Sequence, residues 1–494
     1  MALLALDIGT THYKAGLFSR DGTALSIRSR PTVVHRTRDG RAYLDPAELL
    51  ETVAALVGEV TRDHDTSLAA VGIASMAETG LLIDRQTGRP RSQLIPWFDT
   101  SALPQAERIA TRAAPLEIFK RFGLRVSFKS SLAKLLWLND MDPALVSGAI
   151  WLSAADFVLY HLTGLWATDH SLASRTLAFH IDRKTWDEEW LREWGFSPDL
   201  FPPALPGGSI VGRSTGTALG LPAGIPVAVC GHDHVCAALA VGAIEPGVVF
   251  DSMGTAEALV GALPERPLTD ADYEIGLHCG CHVARGRNYW MGGLSTSGGA
   301  VEWVRSLAGE PRLSYETLDA ILDTAPAGPT GILVFPYLLG SGSPHSDAHV
   351  RGAVIGLRAS HQARDLVKAL LEGVAYEVEV IRRAGETMAG QSIPTLIVAG
   401  GGTRHRAWMQ IKADVSGCRI VVSPEAEATL LGAAIAAGIG CGVFSSEADA
   451  IAILNQSTAE VYVPDPGRHQ RYATLYEKGY LAFQEPLRRF TPDL

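Results

Sequence analysis

Residues 230–236 read CGHDHVC and residues 278–282 read HCGCH. Thiols, imidazoles and one carboxylate at that density offer two chemistries: a metal centre, or a single acid–base group with packing around it. Structural zinc sites use tight Cys-x2–4-Cys pairs, whereas Cys230 and Cys236 are separated by a strand-to-helix junction. In the second segment Cys279 and Cys281 share one face of an extended strand and each His neighbour points the other way, which is poor tetrahedral geometry. The cysteines therefore read as buried free thiols. Asp233 lies at a strand end, where the N-terminus of the next helix keeps a carboxylate ionised. His232 and His234 flank it, and where one of them touches a substrate its titration near pH 6.5 would enter a pH–rate profile.

Three other segments bear on phosphate and nucleotide. ALDIGTT (5–11) and FDSMGT (250–255) each run a strand into a Gly-Thr turn, whose amides and hydroxyls can cradle phosphate oxygens. Asp7 is suited to hold a hydrated Mg²⁺ beside those phosphates, and Lys14 on the returning strand supplies positive charge. VAGGGTRHRAW (398–408) places three glycines between a strand and a helix, so that a flat ligand can lie against bare backbone. It is neither the dinucleotide fingerprint nor a P-loop.

These residues need a frame. Strands are predicted at 3–7 and 13–18, with a turn at Asp21-Gly22. Asp45 and Pro46 open a helix over 45–60. A buried strand follows at 68–76, then helices at 103–120, 130–139 and 154–162. The strand at 222–233 ends on Asp233 and continues as a helix of small residues. Beyond it come a strand at 247–255, a strand and loop at 331–340, and a long helix at 361–386. A strand–glycine turn–helix unit at 394–417, a strand at 419–423 and a buried helix at 429–444 complete the chain. That last apolar stretch is shorter than the roughly 20 residues a bilayer demands. Laying 247–255 on 3–10 matches Asp251, Gly254 and Thr255 to Asp7, Gly9 and Thr10, which suggests duplication about a boundary at Glu245-Pro246-Gly247.

The bulk numbers agree. A chain of 494 residues is too long for one ordinary core. With 47% hydrophobic and 19% charged residues it is globular α/β in profile. A net charge of −10 without a dense Lys/Arg run disfavours nucleic acid or an anionic membrane as partner. An anionic substrate would need a local binding device. Six cysteines make no disulfide framework, and reduced thiols suit a cytoplasmic protein. MALLALDIGTTHYK lacks the basic n-region of a signal peptide.

In order and spacing, LDIGTTHYKAGLF (6–18), CGHDHVCAA (230–238), FDSMGTAEAL (250–259), RGAVIGLRASHQARDLVKALLEGVAYE (351–377) and the segment from Val398 through Gly438 resemble the FGGY family of carbohydrate kinases, a branch of the actin-like ATPases. The resemblance implies two ribonuclease-H-like domains, 1–245 and 246–494, with mixed sheets flanked by helices and an active site in the cleft between them. It implies ATP with Mg²⁺, the adenine mainly on the C-terminal domain and a small sugar or polyol mainly on the N-terminal one. Asp7, Gly9, Thr10, Thr11 and Lys14 fall in the first phosphate motif, Gly254 and Thr255 in the second, and Gly401, Gly402 and Arg406 at the nucleoside. Lys14 stands where some relatives have Arg. Asp233 becomes the general base, and with Asp7 a ligand of the metal ion. Relatives of this size also make a homodimer an open expectation.

For the sugar the resemblance points to Met76, Glu78, Trp97, Asp99 and His232, with Lys129 a weaker candidate. Glu78 matches a Glu that binds substrate hydroxyls in glycerol-kinase-like members, but their adjoining Arg is Ala77 here. The Met-His-Gly of xylulokinase-like members is likewise replaced by Met76-Ala77-Glu78. A ketose such as xylulose is the expected substrate, with a polyol as the alternative. Asp7 and Asp233 together argue against a non-catalytic sugar sensor.

Overall fold

The computed structural model describes residues 1–62, 64, 66–216, 219–307, 311–454 and 459–490. Two large sheets organise it. The first uses β1 (Ala2–Ile8), β2 (His12–Phe18), β3 (Ala24–Pro31), β4 (Leu68–Ser75), β5 (Ile210–Arg213) and β6 (Pro226–His232) in the order β5-β6-β4-β1-β2-β3. β1 pairs antiparallel with β2 and parallel with β4, and β4 pairs parallel with β6. Every residue of β1 is buried, as expected of a central strand covered on both faces.

The second sheet uses β7 (Val248–Met253), β8 (Glu257–Pro264), β9 (His278–Cys281), β10 (Arg287–Leu294), β11 (Thr395–Ala399), β12 (Arg419–Val422) and β13 (Glu460–Tyr462). Its order is β9-β10-β8-β7-β11-β12-β13. β7 pairs antiparallel with β8 and parallel with β11, β11 parallel with β12, and β12 antiparallel with β13. Strand for strand this repeats the first sheet, with β9 added at one edge. The match of 247–255 to 3–10 thus corresponds to a repeat in topology.

Five helices matter for the site. α1 (Pro46–Thr61) is capped by Asp45, whose carboxylate accepts from the amides of Ala47 and Glu48. α2 (Asp233–Ala240) leaves β6 directly. α3 (Gly298–Leu307) and α4 (Ala363–Ala389) belong to the second half, as does α5 (Arg406–Ser416). A sixth, α6 (Ala428–Gly440), crosses back to the first sheet: an added Cβ on Gly72 of β4 would lie 2.2 Å from the Ala433 carbonyl oxygen. The helix expected over 103–120 is two helices, Leu103–Arg112 and Pro115–Phe122. Pro115 excludes helical geometry from the residue before it, and Ala114 is extended at ψ 124°. No described helix is long and apolar enough to cross a membrane.

Candidate active site

Three parallel strands of the first sheet end level. Asp7 lies in register with Ala74, and Ser75 with both Ile8 and His232. Asp7, Met76 and Asp233 therefore emerge at one C-terminal edge, where open α/β sheets hold their ligands. The turn after β1 is tight: a Cβ on Gly9 would stand 2.7 Å from the His12 carbonyl oxygen. Thr11 is exposed at its tip and Thr10 half-buried.

Asp233 opens α2, and its Oδ1 is heavily engaged. The His234 amide donates to it at 2.7 Å, and His234 Nδ1 and His232 Nε2 lie 2.7 and 3.2 Å away. Among the described residues its Oδ2 has no hydrogen-bond partner, and it is not one of the fully buried unpartnered atoms, so that oxygen keeps accessible surface. Burial alone would raise the pKa, but His234 and His232 hold this carboxyl well below the usual carboxylate range. Burial drives His232 down, whereas for His234 the Asp233 charge outweighs burial and raises it. Asp7 goes the other way, since burial and the Asp233 charge push it up to about 8. Its Oδ1 is buried without a partner. Two clustered carboxyl groups with an unsatisfied oxygen offer hard oxygen donors that fit Mg²⁺ once the Asp7 proton is displaced.

His232, Asp233 and His234 are the one grouping of three ligand-type side chains among the described residues. Both imidazoles are bonded to the Asp233 oxygen. The cysteines of the opening motifs are buried one by one. Cys230 Sγ lies 3.3 Å from the Ala433 carbonyl, Cys279 Sγ 3.4 Å from Met388 Sδ, and Cys281 Sγ 3.6 Å from the Ile181 carbonyl.

The second Gly-Thr turn is built like the first. Gly254 and Thr255 are exposed, and their carbonyls accept the amides of Ser297, Gly298 and Gly299, which docks the start of α3 onto the turn. The glycine turn after β11 packs against it. Gly400 has φ 114°, and a Cβ there would lie 2.3 Å from the Met253 carbonyl oxygen. Gly401 and Gly402 thereby sit beside the Gly254-Thr255 turn. Arg406 does not join them, because its guanidinium is 81% exposed and paired to Glu460 at 2.6 Å. Lys14 is half-buried and paired at 2.5 Å with Glu427, the residue just before α6.

On the sugar side, Trp97 Nε1 donates to Thr10 Oγ1 at 2.9 Å, and that hydroxyl lies 3.6 Å from Met76 Sδ. Lys129 Nζ stands 4.9 Å from the centre of the Trp97 ring. Glu78 adopts φ 60°, an uncommon conformation for a residue with a side chain, of the kind that clusters at functional sites. Lys134, fully buried, locks it there by donating to the carbonyls of Glu78, Ile95 and Pro96 at 2.5, 3.2 and 3.0 Å. Burial would raise the Glu78 pKa, but Arg175, Lys129 and His232 bring it below its ordinary value. Arg175 grips Glu78 Oε1 through Nη2 at 2.5 Å and Nε at 3.1 Å. Asp99 is diverted: its two oxygens accept the amides of Ala42 and Ser101 at 2.7 and 3.0 Å, so it holds its own loop.

The structure thus gathers Asp7, Thr10, Met76, Glu78, Trp97, His232 and Asp233, with Lys129, and leaves Asp99 and Arg406 engaged elsewhere. Sequence reasoning missed Arg175, Lys134 and Glu427, and also Tyr289, whose ring centre lies 6.5 Å from that of His232. Of these only Lys134 carried a signal, a lysine amid the apolar run LAKLLWL.

Residues 2–240 match the N-terminal domain of the FGGY family of carbohydrate kinases, and residues 252–441 match its C-terminal domain. A glycerol kinase of Thermus brockianus is 33% identical, covering 90% of this chain and 90% of the relative. A xylulose kinase of Bacillus subtilis is 27% identical, covering 96% and 95%. The crystal structure of a xylulose kinase from Rhodospirillum rubrum superposes with a TM-score of 0.89 at 26% identity, over 99% of this chain and 100% of that one.

Proposed function

This chain belongs to the FGGY family of carbohydrate kinases, and on that premise we propose that it transfers the γ-phosphate of ATP to a hydroxyl of a ketose, with Asp233 as general base. The observation that carries this reading is the asymmetry of Asp233. Three donors fix Oδ1 and keep the carboxyl ionised, while Oδ2 is left to accept the proton of an incoming hydroxyl. The hydroxyl oxygen bonds to the γ-phosphorus, the bond from that phosphorus to the bridging oxygen breaks, ADP leaves, and the proton moves to Asp233. A carboxylate suffices, because the loose transition state asks mainly for alignment and charge neutralisation.

The two Gly-Thr turns, with Gly254, Thr255, Gly9, Thr10 and Thr11, offer amides and hydroxyls to the phosphates. Gly401 and Gly402 provide bare backbone for the nucleoside. Asp7 and Asp233 would hold Mg²⁺, which when bound neutralises charge on the phosphates. Trp97 forms one wall for the sugar, held against Thr10 by its own indole N–H.

A polyol is the second reading, and one contact favours it. The guanidinium absent at Ala77 reaches Glu78 from Arg175, in a distant part of the chain, so an arginine still stands beside the Glu that the resemblance to glycerol-kinase-like members assigns to substrate hydroxyls. Coupled ADP release on a panel of pentuloses, hexuloses and polyols separates the two readings. Asp233→Asn tests both: turnover should fall at least a thousandfold while ATP still binds, and near-normal phosphorylation by this variant would sink the assignment.

A further inference from the structure

The strands that flank the Gly254-Thr255 turn carry a buried cluster that the transfer of phosphate does not use. Asp251 stands on β7 ahead of the turn, and Glu257 opens β8 behind it. Across this pair of strands Asp251 faces Leu259 and Met253 faces Glu257, which puts the two acids on one face of the sheet. Lys412, in the second turn of α5, donates to Asp251 Oδ2 and to Glu257 Oε1. Glu257 Oε2 accepts the hydroxyl of Ser297, the residue before α3. All four side chains are buried. Burial alone would lower the Lys412 pKa, but Asp251 and Glu257 raise it, so the ammonium keeps its charge.

The elements joined in this way frame the proposed nucleotide site. α3 docks its first amides on the Gly254-Thr255 turn, and α5 follows the glycine turn that contains Gly401 and Gly402. These pieces meet through bare backbone. A Cβ on Gly298 would stand 2.6 Å from the Gly254 carbonyl oxygen, and one on Gly400 would stand 2.3 Å from that of Met253. Glycines bring no side chains to interlock, so packing at these contacts limits how near the turns come and not how they are oriented. Hydrogen bonds from one ammonium to two carboxyl groups are directional and supply that orientation. Stability alone does not require them, since apolar residues of similar volume often hold a core as well as a buried ion pair does.

We propose that Lys412, Asp251 and Glu257 are positioning residues for the nucleotide: together they hold the Gly254-Thr255 turn and the Gly401-Gly402 turn at the spacing and orientation that ATP requires. The inference rests on the reading of this cleft as an ATP site, and it adds the residues that set the geometry of that site from beneath. Removing the cluster then weakens nucleotide binding out of proportion to stability. The sugar side, built mainly on the first half of the chain, is left as it is.

Titration calorimetry with MgADP on the intact protein tests this. The combined variant Asp251→Val, Glu257→Met, Lys412→Met replaces the cluster by apolar side chains. Its melting temperature should stay within about 5 °C of the parent's, while ADP should bind at least about tenfold more weakly. Where the combined variant melts earlier than that, Glu257→Gln decides instead. It keeps the Lys412–Asp251 pair and a partner for Ser297, and should weaken ADP at least about threefold. In coupled turnover, with the best acceptor of the panel above, KM for ATP should rise by the same factor while KM for that acceptor stays within about twofold of the parent's. The proposal is overturned if the deciding variant binds ADP as tightly as the parent, or if KM for the acceptor rises as much as KM for ATP. A parent protein that binds no ADP removes the ATP reading itself. A parent that binds ADP, beside a variant that binds it equally well, removes only the role of the cluster.

Discussion

Asp7 and Asp233 are neighbouring carboxylates whose surroundings drive them apart. The pair of imidazoles keeps Asp233 ionised, and burial beside that charge pushes Asp7 from 3.8 up to about 8. The consequence for stability has a definite sign. The fold binds the Asp7 proton more tightly than the unfolded chain does, so this contribution is full below about pH 4 and is lost as pH climbs towards 8. Asp7→Asn removes the buried charge and should raise the melting temperature of the ligand-free protein by several degrees at pH 9, since each kcal/mol is worth about 2–4 °C in a domain of ordinary size. The gain should shrink towards pH 5, while turnover is lost at every pH. Scanning calorimetry of both proteins from pH 5 to 9 checks this, and a gap that stays flat with pH would contradict the assignment. Asp7 and Asp233 were legible because each sits in a short motif at a strand end. Arg175, Tyr289 and Glu427 were not, because each reaches the site from a segment whose own pattern is ordinary helix, strand or loop, and only the folded chain brings them close.

At the scale of elements, the position of Asp233 depends on how closely α2 and α6 approach. A Cβ on Gly432 of α6 would stand 1.9 Å from the Cys236 carbonyl oxygen of α2. Gly432→Ala must push the two helices apart, and should destabilise the protein by about 1–3 kcal/mol. Because α2 carries Asp233 at its first residue, kcat should fall more than KM rises. Gly58→Ala is the control: it faces open space in α1, and should stabilise by about 0.5–1 kcal/mol through helix propensity alone. Equal effects of the two changes on kcat would show that Gly432 is not a packing constraint on the site. The run TLLGAAIAAG announces a closely packed helix, and its burial was legible in composition. Its docking partner was not, because small residues state only how near a neighbour comes. The strands read well for the opposite reason: β1, β4, β6 and β7 are short apolar runs that carry a polar residue within two positions of their C-terminal ends, and period and punctuation together fix those ends. The helix over 103–120 failed at the one place where a proline overrides a continuous amphipathic pattern.

Across the whole molecule, the two halves of the chain meet at the site. Tyr289 of the second sheet stands beside Arg175, Thr429 Oγ1 lies 3.4 Å from the Asp233 carbonyl oxygen, and Lys14 of the first sheet pairs with Glu427. The topological repeat explains why a Gly-Thr turn follows an inner strand in each sheet, yet the matched carboxylates have diverged. Asp251 is fully buried and ion-paired with Lys412, so it braces the second sheet, whereas Asp7 makes no ion pair among the described residues. The Lys14–Glu427 pair bears on nucleotide binding in a way that kinetics can read. Lys14 lies in register with Asp7, beside the phosphate turn, but its ammonium is bound to a carboxylate that precedes α6. A phosphate that recruits Lys14 must draw it from Glu427. The pair is about one-quarter exposed on each side, and exposed or partly exposed pairs are worth roughly 0.2–1 kcal/mol. Glu427→Gln should therefore lower KM for ATP by about two- to fivefold with little change in kcat, while Lys14→Met should raise it. The effect of Glu427→Gln should fade at high salt, where the pair it removes is already screened. A KM for ATP that rises in Glu427→Gln would mean that the pair positions Lys14 for the phosphate instead of competing with it, and Glu427 would then belong to the binding machinery.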